Sequence, residues 1–124
     1  MSAPTTVTVH TVDHGPVTIP EPAWCLGVHE AEAYRVDIEH QGVEVVVKVA
    51  TPCHGEVTAL SMALVQRPFS STERRVMAAV DLGGEWHEFD GAAMVRLSEE
   101  LARFAVLDMT LMAALVDKSN GVSR

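Results

Sequence analysis

Thiolate sulfur and imidazole nitrogen are the donors zinc prefers, and the first half of this sequence gathers both. Cys25 and His29 have three residues between them, close enough to reach one ion from a single turn. His40 follows eleven positions after His29, and Cys53 and His54 lie in a later break of the chain. A structural zinc ion takes four such ligands in a tetrahedron. Cys25, His29, His40 and Cys53 therefore make a candidate Cys2His2 site, with His54 or His87 as substitutes in the fourth place. The same residues suit other chemistry. Cys25 beside a histidine has the parts of a nucleophile and its base. An open zinc centre would need three ligands, a water and a general base, for which Glu30 or Glu32 could serve. No Gly-rich phosphate loop, Gly-x-Ser-x-Gly elbow or His-Glu-x-x-His helix occurs, so a structural ion is expected ahead of a catalytic one, with an ordinary buried thiol at Cys25 and surface histidines as the plain alternative.

These residues need strands and loops to hold them. From Thr6 to Val12, Val7 and Val9 alternate with Thr6, Thr8 and His10, a short strand that Asp13-His14-Gly15-Pro16 breaks. Pro20 to His29 carries two prolines and a glycine within an aperiodic stretch around Trp24 and reads as an ordered loop. Val36 and Ile38 predict a strand over 33–39. After a Gln41-Gly42 turn, Val43, Val45, Val47 and Val49 line up against Glu44 and Lys48 in the strongest strand pattern of the chain. Val57 to Gln66 is ambiguous, since its residues alternate yet favour helix, and its flanking strands decide for a strand. Arg75 to Leu82 and Glu85 to Phe89 form a hairpin about Gly83-Gly84.

Asp90 then stands as N-cap to a helix over 91–118, with Gly121 beyond its end as the stop. Met94, Leu97, Leu101, Phe104, Ala105, Leu111, Met112 and Leu115 recur at helical spacing, and Met94, Met109 and Met112 read as core filler. In the second half Val106, Leu107 and Met109 make the helix apolar almost all round. Such a surface needs cover from a groove in its own fold or from a symmetric dimer. Strands followed by one helix predict an α+β fold: an antiparallel sheet of about five or six strands with the long C-terminal helix packed on a face. A single domain over 1–124 is expected, with flexible ends at 1–4 and 119–124.

Composition bounds the partners. A net charge of −8 with nine scattered Lys and Arg argues against nucleic acid, and Arg74-Arg75 is the only basic doublet. Two cysteines are too few for a secreted disulfide scaffold, and no apolar stretch reaches bilayer length. The opening Met1-Ser2-Ala3-Pro4 lacks a signal-peptide pattern, so a cytoplasmic protein with no membrane partner is expected.

Pro22-Ala23-Trp24-Cys25, then His29, then His40-Gln41-Gly42, resembles the opening of a small actinobacterial family of unknown function. Its members begin with Pro-x-Trp-Cys and a histidine, and His-x-Gly follows after a variable spacer. Strands like Leu64-Val65-Gln66 and Val76 to Val80 come later, and a helix rich in Ala, Leu and Arg closes the chain, as 89–105 does here. The similarity spans most of residues 20–116, and only its Trp-Cys-His-His part is distinctive. Met94, Val95 and Phe104 depart from the family's usual Ala or Arg, and the Pro52-Cys53-His54-Gly55 loop is an addition. The resemblance implies metal at Cys25, His29 and His40 and carries no activity. The expected function is a regulatory or protein-interaction domain stabilised by zinc, acting on a protein partner or as a homodimer through the helix. The alternatives are a zinc- or thiol-dependent hydrolase, or a phage or mobile-element accessory protein that binds a host factor.

Overall fold

Alternating threonine and valine build strand β1 (Thr6–Thr11), which pairs antiparallel with β2 (Gly15–Pro20) as a two-stranded sheet. This chain is described by a computed structural model over residues 5–122, so of the ends expected to be flexible, 1–4 and 123–124 lie outside the described residues, while 119–122 are the helix's last residue and its closing turn. The pattern did not signal β2, because Pro16 and Pro20 bracket it. Proline is tolerated where its missing N–H would face outward from a sheet edge, and here it sits opposite His10 and Thr6. Val9 and Ile19 from this hairpin bury against Ile38, with Phe69 partly buried beside them.

The strand predicted over 33–39 does not form. Arg35–Asp37 is a single 3-10 turn, and Val36 stays 41 % exposed while Ile38 is 2 % exposed. The two apolar residues thus share no face. Long-range backbone bonds instead tie this segment to the end of β1, from Val12 N to Ala33 O (3.0 Å) and from Glu32 N to His10 O (3.0 Å).

The second sheet has five strands, all antiparallel: β3 (His40–Gln41), β4 (Val45–Thr51), β5 (Gly55–Gln66), β6 (Met77–Leu82) and β7 (Glu85–Phe89). The ambiguous segment is indeed a strand, the longest of the fold. Pairing on both its sides overrides its helix propensity. One side of β5 takes β3 and then β4 along its length, and the other takes β6. Val80 at the middle of β6 is fully buried.

The two long hairpins close with the same loop chemistry, Thr11-Val12-Asp13-His14-Gly15 and Thr51-Pro52-Cys53-His54-Gly55. In each, the threonine hydroxyl donates to the glycine carbonyl at 2.8 Å and accepts from the histidine N–H. Gly15 and Gly55 supply the positive φ, 60° and 64°, that turns the chain back into its strand.

Between β5 and β6, Glu73 accepts from the Arg75 side chain at 3.0 Å and from its backbone N–H at 2.9 Å. The Arg75 guanidinium, more than the backbone bond, holds the Glu73 carboxyl at about 2 against an ordinary 4.5. A lowered carboxyl favours the folded loop above its ordinary range, and that preference is lost as pH falls through about 2. The Glu73 side-chain NMR shift should therefore titrate near 2 in the native chain. It should return toward the ordinary range in Arg75→Ala.

Residues Gly91–Arg124 form a separate compact unit from Met1–Asp90. Its helix runs as α1 (Gly91–Arg103), a π turn over Phe104–Met109, and α2 (Thr110–Ser119). The Thr110 hydroxyl donates to Ala105 O at 3.2 Å, five residues back, as the wider turn permits. Gly121 ends the helix as expected, with Gly121 N on Lys118 O (3.2 Å) and Val122 N on Asp117 O (2.8 Å). Met109 and Met112, expected in the core, are exposed. Apolar residues surround α2 instead of forming one stripe, so no single packing face can take them all. Among the described residues, no helix is long and apolar enough to cross a membrane.

Candidate metal centre

The loop after β2 and the short strand β3 bring four donor side chains together. Glu21 is fixed where the first hairpin ends, its N–H bonded to Thr5 O at 2.7 Å. Pro22 opens a tight turn closed by Cys25 N on Pro22 O at 3.0 Å. Leu26 N on Gln41 O (2.9 Å) and a bridge between Cys25 and Gly42 then lay this loop along the outer edge of β3. The chain turns through Gly27 and returns His29 to the same place. His40 enters from β3, where it pairs with Gln66 and is buried.

One ligand atom each from Glu21, Cys25, His29 and His40 lies within 4.8 Å of the others. Cys25 Sγ is 3.9 Å from His29 Nε2, and Glu21 spans both imidazoles, at 2.9 Å from His29 Nε2 and 2.8 Å from His40 Nδ1. The side chains of His40, His29 and Glu21 are only 3, 7 and 10 % exposed. The His29 and His40 rings meet edge-on, with centroids 5.4 Å apart. With metal–nitrogen bonds near 2.0–2.1 Å and metal–sulfur near 2.3 Å, tetrahedral zinc separates its donors by about 3.3–3.6 Å. Small side-chain rotations bridge that difference.

The electrostatics favour a divalent cation. Burial, and then the hydrogen bond to Glu21, push the Cys25 thiol above its ordinary value, so without metal it keeps its proton. Burial alone would raise Glu21, but its bonds to Cys25, His29 and His40 outweigh this and hold the carboxyl below its ordinary range. A bound dication displaces the thiol proton. One thiolate, one carboxylate and two neutral imidazoles then balance its two charges, which suits a largely buried site.

Of the residues picked from the sequence, the structure brings together Cys25, His29 and His40. Cys53 is exposed in the β4–β5 turn, beside His54. His40 lies opposite Gln66 and that turn is at Gly55, so the two ends of β5 are about 35 Å apart at 3.2–3.4 Å per residue. His87 is exposed on β7. The fourth donor is Glu21, which the sequence pattern did not single out. It precedes Cys25 by the same interval that separates Cys25 from His29, and that regular spacing was the available signal.

Gly42 is part of the site's frame. A Cβ there would sit 3.3 Å from Trp24 O and 3.4 Å from the indole, with Leu64 also in contact. Trp24 in turn packs edge-on to His40, with centroids 6.3 Å apart. Gly42→Ala should cost about 1 kcal/mol in urea denaturation, and the bulkier Gly42→Val about 1–3 kcal/mol by displacing Trp24.

Beside the cluster, His29 lines a cleft of about 390 Å³ together with Glu30, Asp37, Ile38, Glu39 and Gln41. On the sheet, Arg67 reaches both Glu39 (2.9 Å) and Glu88 at the rim of a shallow groove that also holds Trp86.

Fold and site together define an α+β protein with a partly buried Glu/Cys/His/His cluster of metal-ligand type. The chain belongs to the family described as a domain of unknown function, DUF6907, whose model matches residues 6–117 and so takes in every residue of the cluster. No curated protein and no solved structure matches the chain.

Proposed function

We propose that this is a small intracellular regulatory or protein-interaction domain whose two sheets are pinned together by one structural zinc ion. Glu21, Cys25, His29 and His40 are its ligands, a Cys1His2Glu1 set in place of the Cys2His2 set expected from sequence. The convergence of four donors within 4.8 Å carries this reading. The donors come from the end of the first sheet and from the edge of the second, so one ion would cross-link elements that are otherwise joined by a small core and the Cys25–Gly42 bridge. The partner surface is the helix, where Val106, Leu107, Leu111 and Met112 are each at least 60 % exposed. In this reading the Pro-x-Trp-Cys, His, His-x-Gly signature is the metal motif of an actinobacterial family.

Elemental analysis of the purified chain tests the claim, with one zinc per chain expected. Loading the apo-protein with Co(II) should give the visible absorption of a tetrahedral site and a sulfur charge-transfer band. A metal-free chain with an unchanged melting point after chelation would end the proposal, leaving Glu21 as a carboxylate that only bridges two imidazoles.

The cleft beside His29 favours a second reading, a zinc-dependent hydrolase with Glu30 as general base. Turnover of an activated ester by the zinc-loaded chain, abolished in Glu30→Gln, would support it. The near-complete burial of Glu21, His29 and His40 makes the structural role the stronger of the two.

A further inference from the structure

Strand β4 is the most exposed apolar segment of the sheet. Val45, Val46, Val47 and Val49 are each 39–56 % exposed and lie on both faces of the strand, and Val43, two residues before it, is 66 % exposed. β5 covers one side of β4. Along its other side no strand of the described residues pairs with it. The loop that pairs with Gly42 through Cys25 reaches no further along that edge. From Lys48 to Thr51 and back to Leu60, the β4–β5 hairpin is paired only with itself, because β6 joins β5 first at Ser61.

Natural sheets protect such an edge with proline, charged side chains or a bulge, and Lys48 is the one charge that β4 carries. β4 has no proline between Val43 and Thr51. The register shift between Val47 and Lys48 leaves its extra residue, Ala59, on β5, so β4 keeps an unbroken one-residue step from Val45 to Thr51. Val43 and Glu44 lead into it from β3 over a stretch with one residue more than β5, and join the strand only as the pairing extends it.

The geometry points to a second copy of this chain as the occupant, through antiparallel pairing of β4 with its twofold mate in a register centred on Val46. In that register Val46 faces Val46 of the partner subunit. Glu44 then faces Lys48 of the partner subunit, and Lys48 faces Glu44 of the partner subunit, so two opposite-charge pairs form across the twofold. Val45 meets Val47 of the partner subunit, and Val43 meets Val49 of the partner subunit, which covers valines on both faces at once. Neighbouring registers lose this match. Centring on Lys48 opposes two lysines, centring on Glu44 opposes two glutamates, and centring on Val47 sets Lys48 against a valine. Charge therefore selects one alignment along an edge whose valines alone would allow several. The pairing does not depend on bound metal and uses none of the cluster residues.

Light scattering and analytical ultracentrifugation of the full chain test the pairing. The native chain should dimerise. Lys48→Glu and Glu44→Lys should each weaken the dimer about tenfold or more by opposing like charges twice, and the double variant should restore it. Lys48 also lies 3.9 Å from Glu56 within its own hairpin. Glu56→Gln removes that contact without touching the outer edge and should leave the dimer intact. Circular dichroism of each variant checks that the sheet is kept. A native chain that stays monomeric overturns the inference, as does a dimer indifferent to both single charge reversals, which would be held elsewhere. Loss in Glu56→Gln equal to that in Lys48→Glu also overturns it.

Discussion

Cys25→Ala is expected to release the metal and lower the melting point by roughly 10–20 °C, after which a chelator should have no further effect. Cys25 contributes the one sulfur of the cluster, and its thiolate supplies one of the two negative charges that a dication meets there. Without it three donors remain, of which only the Glu21 carboxylate is charged, and affinity should fall steeply. In isolated zinc fingers metal binding supplies about 10–16 kcal/mol, because nothing else holds the fold. Here the five-stranded sheet has its own ladder and buried residues, so a smaller loss of about 3 kcal/mol is the sensible scale. Each kcal/mol moves the midpoint of a domain this size by about 4–6 °C. Cys53→Ser is the matched control. Cys53 is exposed in the β4–β5 turn, so metal content and melting should stay at native values. If Cys53→Ser also emptied the site, the donor set would have to be redrawn.

Glu21→Ala should give the second large effect, and should do so with or without metal. In the native chain the Glu21 carboxylate serves His29 Nε2 and His40 Nδ1 together, between side chains that are almost wholly buried. Truncation leaves two ring nitrogens without their partner, that of His40 in the interior and that of His29 beside the cleft. Breaking a buried pair from one side costs about 3–5 kcal/mol, a large share of the stability of a small domain. Glu21→Gln keeps the shape and one acceptor oxygen but loses the charge, so about 1.5–3 kcal/mol is expected. Urea denaturation with excess chelator isolates this network from the metal. Repeating it with one equivalent of zinc then shows how much of each loss passes through the ion. Equal midpoints for native and Glu21→Ala chains in chelator would mean that the carboxylate does not bind the two rings.

Much of the fold was legible because its cues are local. The valines at every second position from Val43 to Val49 mark β4, which begins at Val45, and Gly83-Gly84 marks the β6–β7 turn. The helix could be read to within a residue at its end, since Gly121 closes it by backbone bonds to the last turn. The failures also have local causes. Pro16 and Pro20 hid β2, although an outer position in a two-stranded sheet tolerates both. Val36 and Ile38 imitated a strand, while the backbone around them was bonded to the first hairpin.

The site was half legible. Cys25, His29 and His40 announce themselves by residue type, since few roles suit those side chains so close together. Glu21 is one of seventeen acidic residues, and its only sequence cue is the four-residue spacing it shares with Cys25 and His29, which is weak until its surroundings are known.

By itself the sequence determined which segments could become strands and helix, because periodicity and turn chemistry act over a few residues. It also determined that a thiol and two imidazoles were present to bind an ion. Only the tertiary structure decided the fourth donor. Strand register sends Cys53 to the far tip of β5 and lays Glu21 between two buried rings, and pairing over such distances depends on contacts that no local pattern encodes.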